Sequence, residues 1–384
     1  MSRVLHVMMK LPEKYGSAFQ SFAQESLGRH AHCFVALRRG RDAATHPAAQ
    51  TFDRLPRGAI GKFLALRRRM NEFAPEVVIF HGMNFRLAET VALLALFATS
   101  DVRYRAVWCI WGADLYKFQN PRPGALATLS ELFRRLLLRR ILYVSTLVAG
   151  DAEIARQHYS PRAELFGAFY PLPNVIDRPP VRRPATAWEP FFVQVGNSSS
   201  PNNEHDAVLD RLATLPGQFR VLCPLAYGSV DNGARVALLG TRLFGDRFQA
   251  HRRMVPPDEY ARLQSGVVVA IFNHNRQQGL GNILGLLYSG AKVYVRADTT
   301  TGYFLDRLGL PVHDTRSLDE VRSIEELVAY EPDLPRIQQV IAERFSARTA
   351  TALWHDLIAS VASRAPKARP ATRRHAPENT AEPA

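Results

Sequence analysis

The chain has 384 residues, 47% of them hydrophobic and 10% aromatic, enough for a sizeable core and two or three domains, which excludes disorder throughout. Its formal net charge of +14, from 49 Lys+Arg against 35 Asp+Glu, points to an anionic partner: nucleic acid, an anionic membrane surface or a phosphorylated substrate. Cys33, Cys109 and Cys223 lie in apolar, strand-like runs without metal-ligand or redox spacing, so neither a disulfide framework nor a zinc site is expected.

The first residues contain no long apolar stretch, and no signal peptide is expected. A strand at Val4–Met8 comes first, and Ala31–Leu37 reads as another. Glu76–Gly82 and Arg105–Gly112 are continuous apolar runs ending in turns, the pattern of strands buried on both faces, and Ile141–Thr146 is a fifth candidate. Helical patterns fall between them, at Ser17–Arg29, Ile60–Phe73, Leu87–Ala98 and Ala125–Arg140. The longest apolar run, Val91–Ala98, is far shorter than the ~20 residues a bilayer span takes, so a soluble or peripheral protein is expected.

Pro171–Pro190 is rich in Pro and Arg, has no period, and reads as an interdomain linker. Alternation then restarts, with strands at Phe191–Asn197, Phe219–Leu225, Gly266–Asn273 and Ala291–Ala297. Helices are expected at His205–Ala213, Asn232–Phe244, Pro257–Ser265, Leu280–Ser289, Ser317–Ala329 and Leu334–Ala359. Beyond Ser363 the Ala/Pro/Arg mixture cannot bury a core, and a disordered basic tail is expected over 363–384. The division is therefore a Rossmann-like domain over 1–180, a second over 190–345, a C-terminal helix over 346–362 and the tail. Two parallel α/β units joined by a linker leave a cleft between the carboxyl ends of their strands. This is the GT-B layout, shared with many dehydrogenases and kinases, so architecture alone does not decide function.

Five segments are more specific: FHGMNF (Phe80–Phe85), WGADLY (Trp111–Tyr116), VGNSSSPNNEH (Val195–His205), PLAYG (Pro224–Gly228) and FNHNRQQGLGN (Phe272–Asn282). In this order and spacing the chain resembles the TDP-N-acetylfucosamine:lipid II N-acetylfucosaminyltransferases, glycosyltransferase family 56, of enterobacterial common antigen assembly. The similarity runs from about Arg3 to Ile358. It implies transfer of a 4-acetamido-4,6-dideoxyhexose from a TDP donor to an undecaprenyl-diphosphate-linked glycan at the cytoplasmic face of the bacterial inner membrane. Three features depart from the family pattern: the Met9–Tyr15 loop, Asn282 where a Thr is expected, and the basic tail.

Departure of a nucleotide leaving group adds charge to its diphosphate, so the site must hold preorganised donors there. A helix N-terminus and a cation are the usual sources without a metal. The RQQGLGN segment offers both. Gly279 and Gly281 allow close backbone approach where a helix opens, Arg276 carries a five-donor guanidinium, and Gln277 and Gln278 can bond sugar or phosphate. Asn282 closes this set. Gly196, Asn197 and Ser198 form the turn after another strand and are placed at the donor phosphates. Glu204 falls at the next helix start, where N-capping is the alternative role. Tyr227 is expected to stack on the base or line the cleft, and Glu259 to lie beside the nucleotide.

An inverting transfer needs a carboxylate or histidine base facing the cleft from the first domain. Asp114, after a buried strand and a glycine, is the first candidate and His81 the second; a retaining transfer would need neither as base, and both would then orient the acceptor. No Asp-x-Asp pair occurs, so no metal and no other cofactor is expected. LFRRLLLRRILY (Leu132–Tyr143) places Arg134, Arg135, Arg139 and Arg140 among leucines at helical spacing, the pattern of a helix lying on anionic lipid and near a lipid-held acceptor. Nucleic-acid binding lacks zinc-finger spacing, an RNP-type motif or a helix-turn-helix, so no nucleic-acid partner is expected. A transferase of the same fold with another TDP- or UDP-sugar is the nearest enzymatic alternative.

Overall fold

Continuous Val/Ile/Phe runs cannot face water on either side, and each becomes a central strand covered by helices on both faces. The computed structural model describes residues 1–9, 16–38, 53–56, 58–119, 124–172, 175–176 and 191–364. Most of the Met9–Tyr15 loop, most of the expected linker and the expected tail from residue 365 lie outside the described residues.

The first half runs β1 (Arg3–Met8), α1 (Gly16–Ser26), β2 (Ala31–Ala36), β3 (Asp53–Arg54), α2 (Ala59–Phe73), β4 (Val77–His81), α3 (Leu87–Thr99), β5 (Ala106–Cys109), α4 (Ala125–Leu138), β6 (Tyr143–Ser145), α5 (Ala149–His158) and β7 (Glu164–Phe166). Its strands form one parallel sheet, ordered β3-β2-β1-β4-β5-β6-β7. The second half runs β8 (Phe192–Val195), α6 (His205–Ala213), β9 (Arg220–Pro224), α7 (Val230–Phe244), β10 (Phe248–His251), α8 (Pro257–Leu263), β11 (Val267–Phe272), α9 (Leu280–Tyr288), β12 (Lys292–Val295), α10 (Thr300–Arg307), β13 (Val312–Asp314), α11 (Ile324–Val328), α12 (Leu334–Phe345) and α13 (Ala347–Arg364). Its sheet is also parallel, ordered β10-β9-β8-β11-β12-β13.

Strand order reverses between β1 and β4 in the first sheet and between β8 and β11 in the second. Open parallel sheets bind ligands at such switch points, beyond the carboxyl ends of the strands. His81, Gly196 and His274 all stand at or just beyond those ends.

The central strands fall where the apolar runs place them. The short edge strands β3, β7, β10 and β13 carry no such run and were not expected, because an edge strand buries less and its sequence is freer. Two expected helices are broken. The stretch 317–329 is a 3-10 turn followed by α11, which Ser323 caps. The stretch 334–359 divides at Ser346, whose extended backbone (ψ 157°) starts α13 afresh. That break returns α13 to the first sheet. Trp354 is fully buried there, donates from Nε1 to the Phe169 carbonyl (2.8 Å) and packs edge-on to Phe19 of α1. Among the described residues no helix is long and apolar enough to cross a membrane. Cys109 and Cys223 are buried, Cys33 is half-buried, and none of the three forms a disulfide among the described residues.

Candidate active site

The site is built from turns that follow the central strands. In the second sheet, Gly196 ends β8 and turns so tightly that a Cβ there would stand 2.6 Å from Asn203 Oδ1. The Asn197 amide donates to that oxygen (2.9 Å), and Asn203 Nδ2 donates to Ser198 Oγ (3.2 Å). Asn197 Nδ2 donates to the Tyr227 hydroxyl (2.7 Å), so Tyr227 braces this turn. Gln278, from the turn after β11, donates to both Asn197 Oδ1 (3.0 Å) and Ser198 Oγ (2.9 Å). The two segments that the sequence singles out separately are thus stitched into one surface. Gln278 Oε1 is buried without a hydrogen-bond partner among the described residues.

Gly279 precedes α9 with φ +68°, and a Cβ there would press on Asn197 and His274 at 3.0–3.1 Å. Gly281, in contrast, would place its Cβ no closer than 3.7 Å to any atom, so the fold itself tolerates a side chain there. His274, which sequence reasoning passed over, is held between the Gln278 carbonyl (3.1 Å) and Asn203 Oδ1 (2.9 Å). Burial, helped by the nearby Arg276 charge, pushes its pKa down to about 3. Asn282 faces inward rather than towards the turns. Its Oδ1 accepts from Gln264 (3.3 Å), which bonds Gln194 (2.7 Å), which donates to the Gly196 carbonyl (3.0 Å).

Glu204 adopts a left-handed backbone (φ 47°), which is uncommon for a non-glycine residue. Its carboxylate accepts from Asn275 (3.0 Å) and pairs with Arg296 (3.2 Å), tying the start of α6 to the ends of β11 and β12. Glu259 pairs with the exposed Arg253 (3.1 Å), and no described contact joins it to either glycine turn.

Arg276 is half-buried and makes no ion pair among the described residues. Burial lowers its pKa from the ordinary arginine value, while the charges of Asp114 and Asp151 and the phenols of Tyr116 and Tyr227 oppose the shift. It reaches the first domain beside Gly112 of WGADLY, where Gln277 also stands. Nearby, Tyr116 donates to Asp151 Oδ1 (2.7 Å) within the first half, and Thr300 donates to the same oxygen (2.6 Å) across the seam. Burial pushes the Asp151 pKa up to about 6. No motif announces Asp151; only the packing of α5 against α10 makes it part of the seam.

In the first domain, Asp114 is 1% exposed and its two oxygens accept four N–H groups. These are Met83 N (2.8 Å), Trp108 Nε1 (2.6 Å), Trp111 N (2.9 Å) and Leu115 N (3.1 Å). The carboxylate binds the FHGMN turn to the WGADLY turn. His81 is also buried; its Nδ1 meets the Tyr170 hydroxyl and its Nε2 meets His6 Nδ1 (3.0 Å). Trp111 Nε1 donates to the same Tyr170 hydroxyl (3.0 Å). Tyr170 lies two residues before Leu172, whose Cδ2 would stand 3.7 Å from a Cβ on Gly281, so this dyad lies near the seam.

One expected lipid contact is corrected. Arg134 is fully buried, not on the basic face: its guanidinium bonds Glu131 (2.8 and 2.9 Å) and the Asp114 carbonyl (3.0 Å) and lies over the Tyr159 ring. Arg139 and Arg140 are exposed and Arg135 is half-buried. Among the described residues, no group of His, Cys, Asp or Glu is arranged to hold a metal ion.

Two parallel α/β sheets with glycine turns after their central strands, and a half-buried arginine in the turn before a helix, fit a glycosyltransferase of the GT-B class. The fold is that of lipopolysaccharide outer core galactosyltransferase WaaB (TM-score 0.63, 11% identity, covering 93% of this chain and 99% of that one). It is also that of Anabaena HepE in its complex with UDP-glucose (TM-score 0.66, 12% identity, 94% and 100%). Sucrose-phosphate synthase from Thermosynechococcus elongatus is similar too (TM-score 0.61, 13% identity, 94% and 97%). Residues 11–322 match the 4-alpha-L-fucosyltransferase family, glycosyl transferase group 56, and the chain belongs to that family.

Proposed function

We propose that this glycosyltransferase carries a 4-acetamido-4,6-dideoxyhexose from a TDP donor to an undecaprenyl-diphosphate-linked glycan at the inner membrane surface. The observation that carries the donor half is the half-buried Arg276 guanidinium, without a carboxylate partner among the described residues, beside the opening of α9. The first N–H groups of a helix have no partner within it, and with Arg276 they supply donors where the leaving diphosphate gains charge. The complex of HepE with UDP-glucose supports a nucleotide-sugar donor. Gln278 Oε1, buried and without a partner among the described residues, is suited to accept from a sugar hydroxyl or amide.

For the acceptor half we assign Asp114 to positioning, since four N–H bonds occupy its oxygens, and turn the His81–Tyr170 dyad towards the acceptor. Leu126, Leu129, Leu132 and Leu136 are exposed along one face of α4, with Arg139 and Arg140 beyond its end. An apolar stripe with a basic rim supports docking on an anionic bilayer.

The deciding measurement is the thermal shift with TDP, UDP, GDP and GMP in the presence of EDTA. Stabilisation by TDP alone supports both the donor and metal-independent binding. A response to UDP instead moves the donor to a UDP-sugar, and no response to any nucleotide removes the donor site.

A further inference from the structure

The dyad at the seam is one end of a longer chain of rings. His81 Nε2 meets His6 Nδ1 (3.0 Å), His6 Nε2 meets His32 Nδ1 (3.0 Å), and His32 Nε2 meets the Leu27 carbonyl (3.1 Å). The chain runs under α1, from the carboxyl end of β4, across β1, to the amino end of β2. His6 stacks on Phe34, and Phe19 covers both His6 and His81.

Its polarity follows from its last member. A carbonyl only accepts, so His32 must carry its proton on Nε2, and a neutral ring then has a bare Nδ1. That nitrogen accepts from His6 Nε2–H, which leaves His6 Nδ1 to accept from His81 Nε2–H. His81 Nδ1 is therefore the bare nitrogen, and the Tyr170 hydroxyl donates to it while accepting from Trp111. Reversing the chain would set the His32 lone pair against the Leu27 carbonyl.

We propose that His6 and His32 are positioning residues that hold His81 in one neutral tautomer, its Nδ1 lone pair turned towards the Tyr170 hydroxyl at the domain seam. This rests on the reading of His81–Tyr170 as acceptor-facing. Among the described residues no carboxylate bonds any of the three rings, so nothing there favours an imidazolium. The cations and rings facing the far end are His30 and His355, with Arg29 beside His30. Burial lowers the pKa of all three members of the chain, His81 to about 3. The bare nitrogen is thus present throughout the range in which a transferase works, without a carboxylate to orient the ring.

The test is 15N NMR of histidine-labelled full chain between pH 5.5 and 8. All three rings are expected to show protonated Nε2 and bare Nδ1 throughout; an Nδ1–H pattern, or a midpoint inside that range, overturns the assignment. Two variants separate tautomer control from a merely structural role. In His32→Gln the amide oxygen accepts from His6 and the amide nitrogen donates to Leu27, so the His81 pattern and kcat are expected to survive. In His32→Leu the His81 pattern is expected to change and kcat to fall about tenfold or more, with donor KM little moved. An unchanged His81 pattern in His32→Leu, or a kcat loss in His32→Gln matching that of His32→Leu, overturns it. If His32→Leu does not fold, the wild-type spectra and His32→Gln still decide. Nucleotide-induced thermal shifts report the donor site separately, so failure here is distinguishable from failure of the donor reading.

Discussion

A Cβ on Gly112 would stand 3.1 Å from Arg276 Nη1: the backbone of one domain leaves just enough room for the cation of the other. Arg276 is held there by packing and by its contact with the Gln277 carbonyl (3.1 Å), with no ion pair among the described residues. Arg276→Ala is therefore expected to leave the melting temperature of the nucleotide-free protein unchanged or slightly raised. The same change should weaken nucleotide binding by about 10- to 100-fold, the worth of a charge-assisted hydrogen bond. Calorimetric titration checks the second expectation and a thermal melt the first.

The two glycines of the α9 turn separate fold from function. Gly279→Ala meets a positive φ and atoms 3.0–3.1 Å away, and is expected to destabilise the protein by about 1–3 kcal/mol. Gly281→Ala has room, with its nearest atom 3.7 Å away, and is expected to melt like the wild type. If the diphosphate lies on this turn, Gly281→Ala loses nucleotide affinity all the same. Urea unfolding alongside a nucleotide titration reads both effects; wild-type affinity in Gly281→Ala would move the diphosphate elsewhere.

Asp151 makes the seam sensitive to pH. Its folded pKa, about 6, lies above the ordinary carboxylate value, so the folded state binds the extra proton. The stability this group contributes is full below the unfolded pKa and is lost as pH rises through about 6, at most about 3 kcal/mol in all. Asp151→Asn keeps an oxygen for Tyr116 and Thr300 but removes the charge. Its stability relative to wild type is expected to improve as pH rises from 4.5 through about 6 and to level off above that in denaturant unfolding. A difference that does not vary with pH would contradict the assignment.

The arginines of α4 are expected to divide. Arg134→Ala strips the buried partners of Glu131 and the Asp114 carbonyl and should cost about 3 kcal/mol of stability. Replacing both exposed arginines, Arg139 and Arg140, should change stability by less than about 0.5 kcal/mol. The double variant should instead weaken sedimentation with anionic vesicles by about tenfold or more, since each surface cation contributes about 1 kcal/mol. Vesicle binding equal to wild type would remove the bilayer from this face.

The central strands and most helices were legible because their apolar periodicity is imposed by burial. The break at Ser346 was not, since one serine with an extended backbone costs a helix pattern nothing in composition. The tight glycine turns were legible because close backbone approach needs glycine, as at Gly279. Gln194 and Gln264, which support the Gly196 turn from below, gave no signal, because an amide in a strand or helix end looks the same whether solvated or buried.

By itself the sequence determined two alternating α/β halves, the family resemblance, and the glycine turns at the strand ends, because hydrophobic period and glycine placement are local properties of the chain. Only the tertiary structure decided which side chains are available for chemistry. Asp114 stood as the first candidate base, and only the fold shows four N–H groups on its oxygens; Arg134 read as a surface cation until its burial was seen. The linked histidines lie 75 and 26 residues apart in the chain. A hydrogen bond fixes a tautomer only once its partner is known, and partners so far apart are chosen by strand order, not by local sequence.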